Sequence, residues 1–247
     1  MSADGEIRVD VFEGIGTLIF NDPEHGNALD PLNVEAQIAH ALRSLDRDRT
    51  VRVVVIAGAG PDFCVGAGHA DPPVYHDARD MGRSSVERLA HGFSYGTMWE
   101  AFAEMHKPLV AAVRGQCRDG GFGIALACDF VIAGRNATFV DTSIERGRSP
   151  FWPCAPVLVR AMGKHRVNEL LLLGRTLTAS DALRLGLVTT VVDDADRDDA
   201  ADQLARELAN RPPVSISLGR HLIRKAIAET ADYALTRSWA YHSVSTG

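Results

Sequence analysis

The sequence predicts an α/β fold with a helical C-terminal quarter. Three observations carry that expectation. Short apolar runs at Val51–Ala57, Leu109–Val113 and Phe130–Ala133 read as strands, the first of them buried on both faces. Segments of helical periodicity, such as Ser84–His106, stand between them. Beyond Arg211-Pro212-Pro213 the pattern stays helical over Val214–Ser243. The 247 residues suit one large domain or a domain with an appendage. No internal repeat or low-complexity linker breaks them.

Taken in order, Ile7–Phe12 and Gly16–Phe20, joined by Glu13-Gly14-Ile15, predict a β-hairpin. Asn21–Asn27 is a polar loop with Pro23 and Gly26. A helix starts at Asp30 or Pro31 and puts Val34, Ile38, Ala41, Leu42 and Leu45 on one face. The strand Val51–Ala57 turns at Gly58-Ala59-Gly60-Pro61 into Phe63–Gly68, and a variable polar segment follows through Gly82. Pro108 stops the helix that begins at Ser84.

Val110–Gly134 reads strand, turn, buried helix, strand. Its polar turn is Gln116–Gly121, and Phe122–Cys128 is apolar nearly all round. A helix starting at Gly120-Gly121 presents free N–H groups and the positive end of its dipole, suited to an anion or a developing oxyanion. The alternative is that these glycines serve only close helix–strand packing. Thr138–Val140 is a further strand, and Pro153–Met162 and Arg166–Leu173 read as helices. Thr178-Ala179-Ser180 caps a short helix ending at Gly186. Leu187–Val192 reads as a strand and Ala195–Asn210 as a helix with Leu204 and Leu208 inward.

Composition narrows the function classes. A net charge of −6 argues against a nucleic-acid surface and a basic membrane patch. Only Lys107, Lys164 and Lys225 are lysines among 26 basic residues, a bias and not a recognition code. Cys64, Cys117, Cys128 and Cys154 lack CxxC spacing and read as buried thiols of a reducing compartment. No apolar leader or span is visible, so the expected location is cytoplasmic. The nine histidines show no paired-ligand spacing, and no metal is expected. Among them, His69, His76 and His91 read as loop or surface residues. Gly58-x-Gly60 follows a strand but lacks the third glycine and helix of a dinucleotide fingerprint. Gly92-Phe93-Ser94-Tyr95-Gly96 matches a nucleophile elbow in letters, yet a helical pattern precedes Ser94 where that elbow needs a strand.

Four ordered stretches carry a resemblance: Asp22–Leu29, Val51–Ala70, Val110–Ala133 and Gly163–Val192. Together they span nearly the whole chain, and it resembles the crotonase superfamily, the enoyl-CoA hydratase/isomerase family. The resemblance implies a spiral of ββα turns over residues 1–186. It implies a C-terminal strand and helical trimerisation region over 187–247, and a homotrimer or dimer of trimers. It implies an acyl-CoA or related carbonyl substrate, with CoA as part of the substrate and no separate cofactor. The N–H groups of Ala67 and Gly120 would hold a thioester oxygen as it becomes an enolate. Ala28, Gly66, Gly68, His69, Ala70 and Gly121 would line the substrate.

The departures are as informative. Hydratases of the family use two glutamates, and the matching positions hold Gly123 and Ser143. Glycine does no acid–base work and a lone serine is a poor base, so ordinary hydratase activity is expected to be weak. Where other branches place an aspartate past Gly147, this chain has Pro150, Phe151 and Trp152. Where the family often has Lys or Arg for CoA phosphates, it has His25-Gly26. Asp141 and Glu145 flank Ser143 by two residues, so an extended segment would face all three one way. Either could replace the base, or Asp141 caps a turn and Glu145 pairs with Arg146 or Arg148. Asp119 stands where the family usually has glycine, and must turn away from an oxyanion or pair with Arg118, or else the oxyanion hole has lost its original use. Asp129 reads as a structural hydrogen-bonding residue. The expectation is thus a divergent enzyme acting through an enolate. The alternatives are a non-catalytic acyl-CoA-binding homologue and, remotely, a serine hydrolase through Ser94.

Overall fold

Alternate residues of the apolar runs face two different cores, which is why the runs read as continuous. Val54, Ile56, Ala111, Val113, Val131 and Ala133 enter the larger core. Val53, Val55, Val110, Ala112 and Ile132 enter a second. The structure, a computed structural model, describes residues 6–29, 34–66, 96–146 and 154–228.

One sheet has six strands: β1 (Ile7–Phe12), β2 (Ile15–Phe20), β3 (Val53–Gly58), β4 (Leu109–Val113), β6 (Phe130–Gly134) and β9 (Thr190–Val192), in that spatial order. β1 and β2 form the expected antiparallel hairpin. Its turn is only Glu13-Gly14, both at positive φ (48° and 83°), the backbone twist a two-residue hairpin requires. Ile15 joins the strand. All other pairs are parallel, in registers such as Val54↔Leu109, Val110↔Phe130 and Ile132↔Thr190.

A second sheet holds β5 (Gln116–Arg118), β7 (Thr138–Val140) and β8 (Leu177–Thr178). The isolated bridge Cys64↔Cys117 extends it back to the turn after β3. β3, β4 and β6 therefore each turn a corner into a short segment of the second sheet, and these turns stack as a spiral. Gln116–Arg118, expected to be part of a polar turn, is strand because it pairs with Thr138–Val140. Polar side chains staple the corners. Asp62 Oδ1 accepts from Gln116 N at 2.7 Å, and Asp194 Oδ1 from Asn136 N at 3.2 Å. The buried Asn27 donates to Ala59 O and Asp62 O at 2.8 Å each and accepts from Asp22 N at 3.0 Å.

Helices cover both sides. α1 (Val34–Arg47) buries Ile38, Ala41, Leu42 and Leu45 as expected, its start lying outside the described residues. α2 spans 96–104, the C-terminal part of the helix expected from Ser84. α3 (Gly120–Ala127) sits in the core. α4 (Cys154–Leu172) breaks at Gly163 into the two expected pieces. A capping box of Thr178 and Asp181 opens α5 (Ala179–Arg184). α6 (Arg197–Ala209) lies on β3, β4 and β6 through Ala201 and Ala205, with Leu204 and Leu208 only partly buried. Leu204 and Leu208 face inward as expected and pack against that cluster, while Ala201 and Ala205 are the fully buried contacts. α7 (Pro213–Ala228) starts on a proline, tolerated at the first helical position. Among the described residues no helix is long and apolar enough to cross a membrane.

Candidate active site

Three segments converge at the N-terminus of α3. Val65 N donates to Gly26 O at 3.0 Å and Leu29 N to Gly66 O at 2.7 Å, tying the opening loop to the segment after β3. Arg118 N donates to Cys64 O at 2.9 Å, tying that segment to β5. Close approach demands glycine twice. Gly66 has φ +77°, and a Cβ there would stand 2.7 Å from Asp119 Cβ and 3.1 Å from Gly120 N. A Cβ on Gly121 would collide with Cys64 O. Gly66 itself thus lies against the positive end of α3. Ala67, Gly68, His69 and Ala70 lie outside the described residues, and Ala28 is half-buried in the opening loop.

Gly120 is buried as the first residue of α3. An N–H at that position has no intrahelical acceptor, and no backbone carbonyl among the described residues accepts from it. The neighbouring Asp119 has φ 47° and ψ −111°, a conformation that favours glycine. Its carboxylate, 5% exposed, is taken by Thr142: Oδ1 accepts from Thr142 N at 2.6 Å and from Thr142 Oγ1 at 3.0 Å. Asp119 N donates to Val140 O at 2.9 Å. These bonds fasten the α3 turn to the segment carrying Asp141 and Ser143.

That segment does not stay extended. β7 ends at Val140, and Ile144–Arg146 forms a 3-10 turn. Asp141 and Ser143 point inward, 2% and 5% exposed, and Asp141 Oδ1 accepts from Ser143 N at 2.8 Å. Glu145 is exposed, with its carboxylate against the Gly174 backbone. The expectation that all three face one way fails because Asp141 caps the turn instead of continuing the strand. Burial pushes the Asp141 carboxyl above its ordinary range. Hydrogen bonds from Ser143 oppose the rise, and the Asp119 charge adds to it. The thiol of Cys64 is pushed up to about 12 by burial, which leaves it inert as a nucleophile.

Two positions have roles that motif reading did not assign: Asn27 as a corner staple and Thr142 as the partner of Asp119. Asn27 carried a usable signal, since Gly-Asn in a polar loop favours the left-handed backbone it adopts (φ 57°). Thr142 carried none.

Stacked ββα turns with a glycine-lined junction at a buried helix N-terminus define the crotonase class of fold. The chain belongs to the enoyl-CoA hydratase/isomerase family, whose sequence model matches residues 10–242. It is 36% identical to 1,2-epoxyphenylacetyl-CoA isomerase of Escherichia coli (strain K12) over 227 residues, 91% of this chain and 84% of that protein. It is 32% identical to mevalonyl-coenzyme A hydratase of Aspergillus fumigatus over 226 residues, 90% and 80% of the two chains. The crystal structure of an enoyl-CoA hydratase subunit I from Geobacillus kaustophilus HTA426 superposes with a TM-score of 0.87 at 27% identity, covering 98% of this chain and 90% of that one.

Proposed function

We propose that the protein acts on an acyl-CoA thioester through an enolate held by the N–H groups of Ala67 and Gly120. The observation that carries this reading is the approach of Gly66 to the α3 N-terminus, where donors for a developing oxyanion would converge. Such donors are typically worth ~3 kcal/mol each. Two hydrogen bonds from Thr142 hold the Asp119 carboxylate toward the segment after β7. Asp141 and Ser143 are the proton-handling pair. Ser143 stands where hydratases have a glutamate, and the raised Asp141 carboxyl is hydrogen-bonded to it. Glu145, exposed over Gly174, is left out of the chemistry.

With glycine at 123 and serine at 143, water activation is weak, since acid–base groups are worth ~10²–10⁴-fold each. We expect crotonyl-CoA hydration far below that of relatives holding both glutamates, and a rise on Gly123→Glu with Ser143→Glu. Robust hydration by the unaltered protein would overturn this. The direct test of the enolate is α-proton exchange of acyl-CoA thioesters in deuterium oxide, read by mass spectrometry. Deuterium uptake that Ser143→Ala or Asp141→Asn abolishes supports the reading. Binding without exchange or turnover supports the second reading, a non-catalytic acyl-CoA-binding homologue, which the missing glutamates favour. A serine hydrolase through Ser94, a residue outside the described ones, lacks its fold context in this family. The proposal includes a cytoplasmic homotrimer or dimer of trimers, supported by the exposed apolar residues Val159, Leu172, Leu173 and Leu183, and no cofactor besides the CoA of the substrate.

A further inference from the structure

Gly123 lies one helical turn beyond Gly120, about 4.5 Å along the α3 axis and on a neighbouring face. It borders a cavity of about 930 Å³ between α2, α3, α4, α7 and the segment around Leu187. The walls are mostly apolar: Trp99, Leu126, Val157, Leu187 and Ile216 contribute. The cavity follows α3 from Gly123 to Cys128 and Asp129, so its floor lies roughly 12 Å from Gly120 by the rise of the helix.

The charged groups of the lining are already engaged. Arg220 Nε donates to Asp129 Oδ2 at 2.6 Å, and its Nη1 donates to Met105 O. Its Nη2 is buried and finds no hydrogen-bond partner among the described residues. Arg224 Nη1 donates to Phe102 O at 2.6 Å. Glu100 is turned toward Arg43, at 4.0 Å. What remains for a ligand is mostly apolar surface, in a volume within the range of small-molecule sites. A four-carbon acyl group would leave most of it empty, and unfilled apolar space forfeits contacts.

On the reading of the site given above, we propose that the substrate carries a large, apolar acyl group that passes Gly123 and lodges in this cavity. Glycine at 123 adds no side chain to the cavity border, whereas a longer residue would take up room there. The position that lost an acid–base group thus sets the size of the acyl group.

The test is calorimetric titration of the intact protein with 2-naphthylacetyl-CoA, acetyl-CoA and free 2-naphthylacetate. Naphthylacetyl-CoA should bind at least tenfold more tightly than acetyl-CoA. Leu126→Trp, which fills the cavity beyond Gly123, should erase that preference. Ala161→Trp fills it from α4 and serves if Leu126→Trp melts early. Equal affinity for the two thioesters, or a preference that survives both variants, overturns the inference and leaves the acyl-CoA reading intact. Binding of naphthylacetate that both variants abolish, with no binding of either thioester, would keep the cavity and overturn the acyl-CoA reading.

Discussion

Asp119 holds a backbone conformation that costs a non-glycine residue ~1–3 kcal/mol, and its carboxylate bonds to Thr142 offset that strain. Asp119→Ala keeps the strain and loses the bonds, so denaturant titration should show it about 2 kcal/mol less stable. Asp119→Gly loses both and should fall within about 1 kcal/mol of the parent. Equal losses in the two variants would mean that the strain is not there. Asp141 predicts a pH effect. Its folded-state carboxyl sits above the unfolded value, mainly through burial, so stability falls as pH rises from that value through the folded one. Asp141→Asn should therefore be more stable relative to the parent at pH 7 than at pH 3. A gap independent of pH would refute the buried, raised carboxyl. The sequence exposed the anomaly at Asp119 but not its resolution, because Thr142 is 23 residues away and reaches it only when β5 meets β7. Glu145 looked equivalent to Asp141 for the same reason: a period of two says nothing about where a strand ends.

At the scale of elements, the strands buried on both faces were legible because burial on two sides leaves no polar residue to blur the run. The short strands β5 and β8 were not. Three residues such as Gln116-Cys117-Arg118 carry no periodicity, and only the partner strand makes them β. α7 depends on one junction. Arg220, 7% exposed, pairs with Asp129, which also accepts from Leu109 N at 2.8 Å. The helix is thereby fastened to the start of β4 and the end of α3. Arg220→Met leaves the Asp129 carboxylate without its cation and should destabilise by ~3–5 kcal/mol. Arg220→Met with Asp129→Asn should recover part of that loss. A double variant no better than the single one in urea titration would show that packing, and not the ion pair, holds α7.

At the scale of the molecule, exposed Val159 and Leu172 on α4, with Leu173 just past its end, leave apolar surface on the outer side of the spiral. We expect trimers or hexamers in light scattering, and monomers after Leu172→Glu with Leu173→Glu. A wild-type monomer at micromolar concentration would count against the assembly. The order of the main sheet, β1-β2-β3-β4-β6-β9, also bears on how the protein is made. Every strand lies beside one synthesised before it, and none waits for a later strand to be inserted between older neighbours. The sheet can therefore grow on one edge as the chain leaves the ribosome. On stalled nascent chains, amide protection of Val53–Gly58 should appear once β4 has emerged and before β9 is made. A chain released at that stage carries an unpaired parallel edge, so fragments from premature termination should aggregate while the same lengths tethered to the ribosome stay soluble.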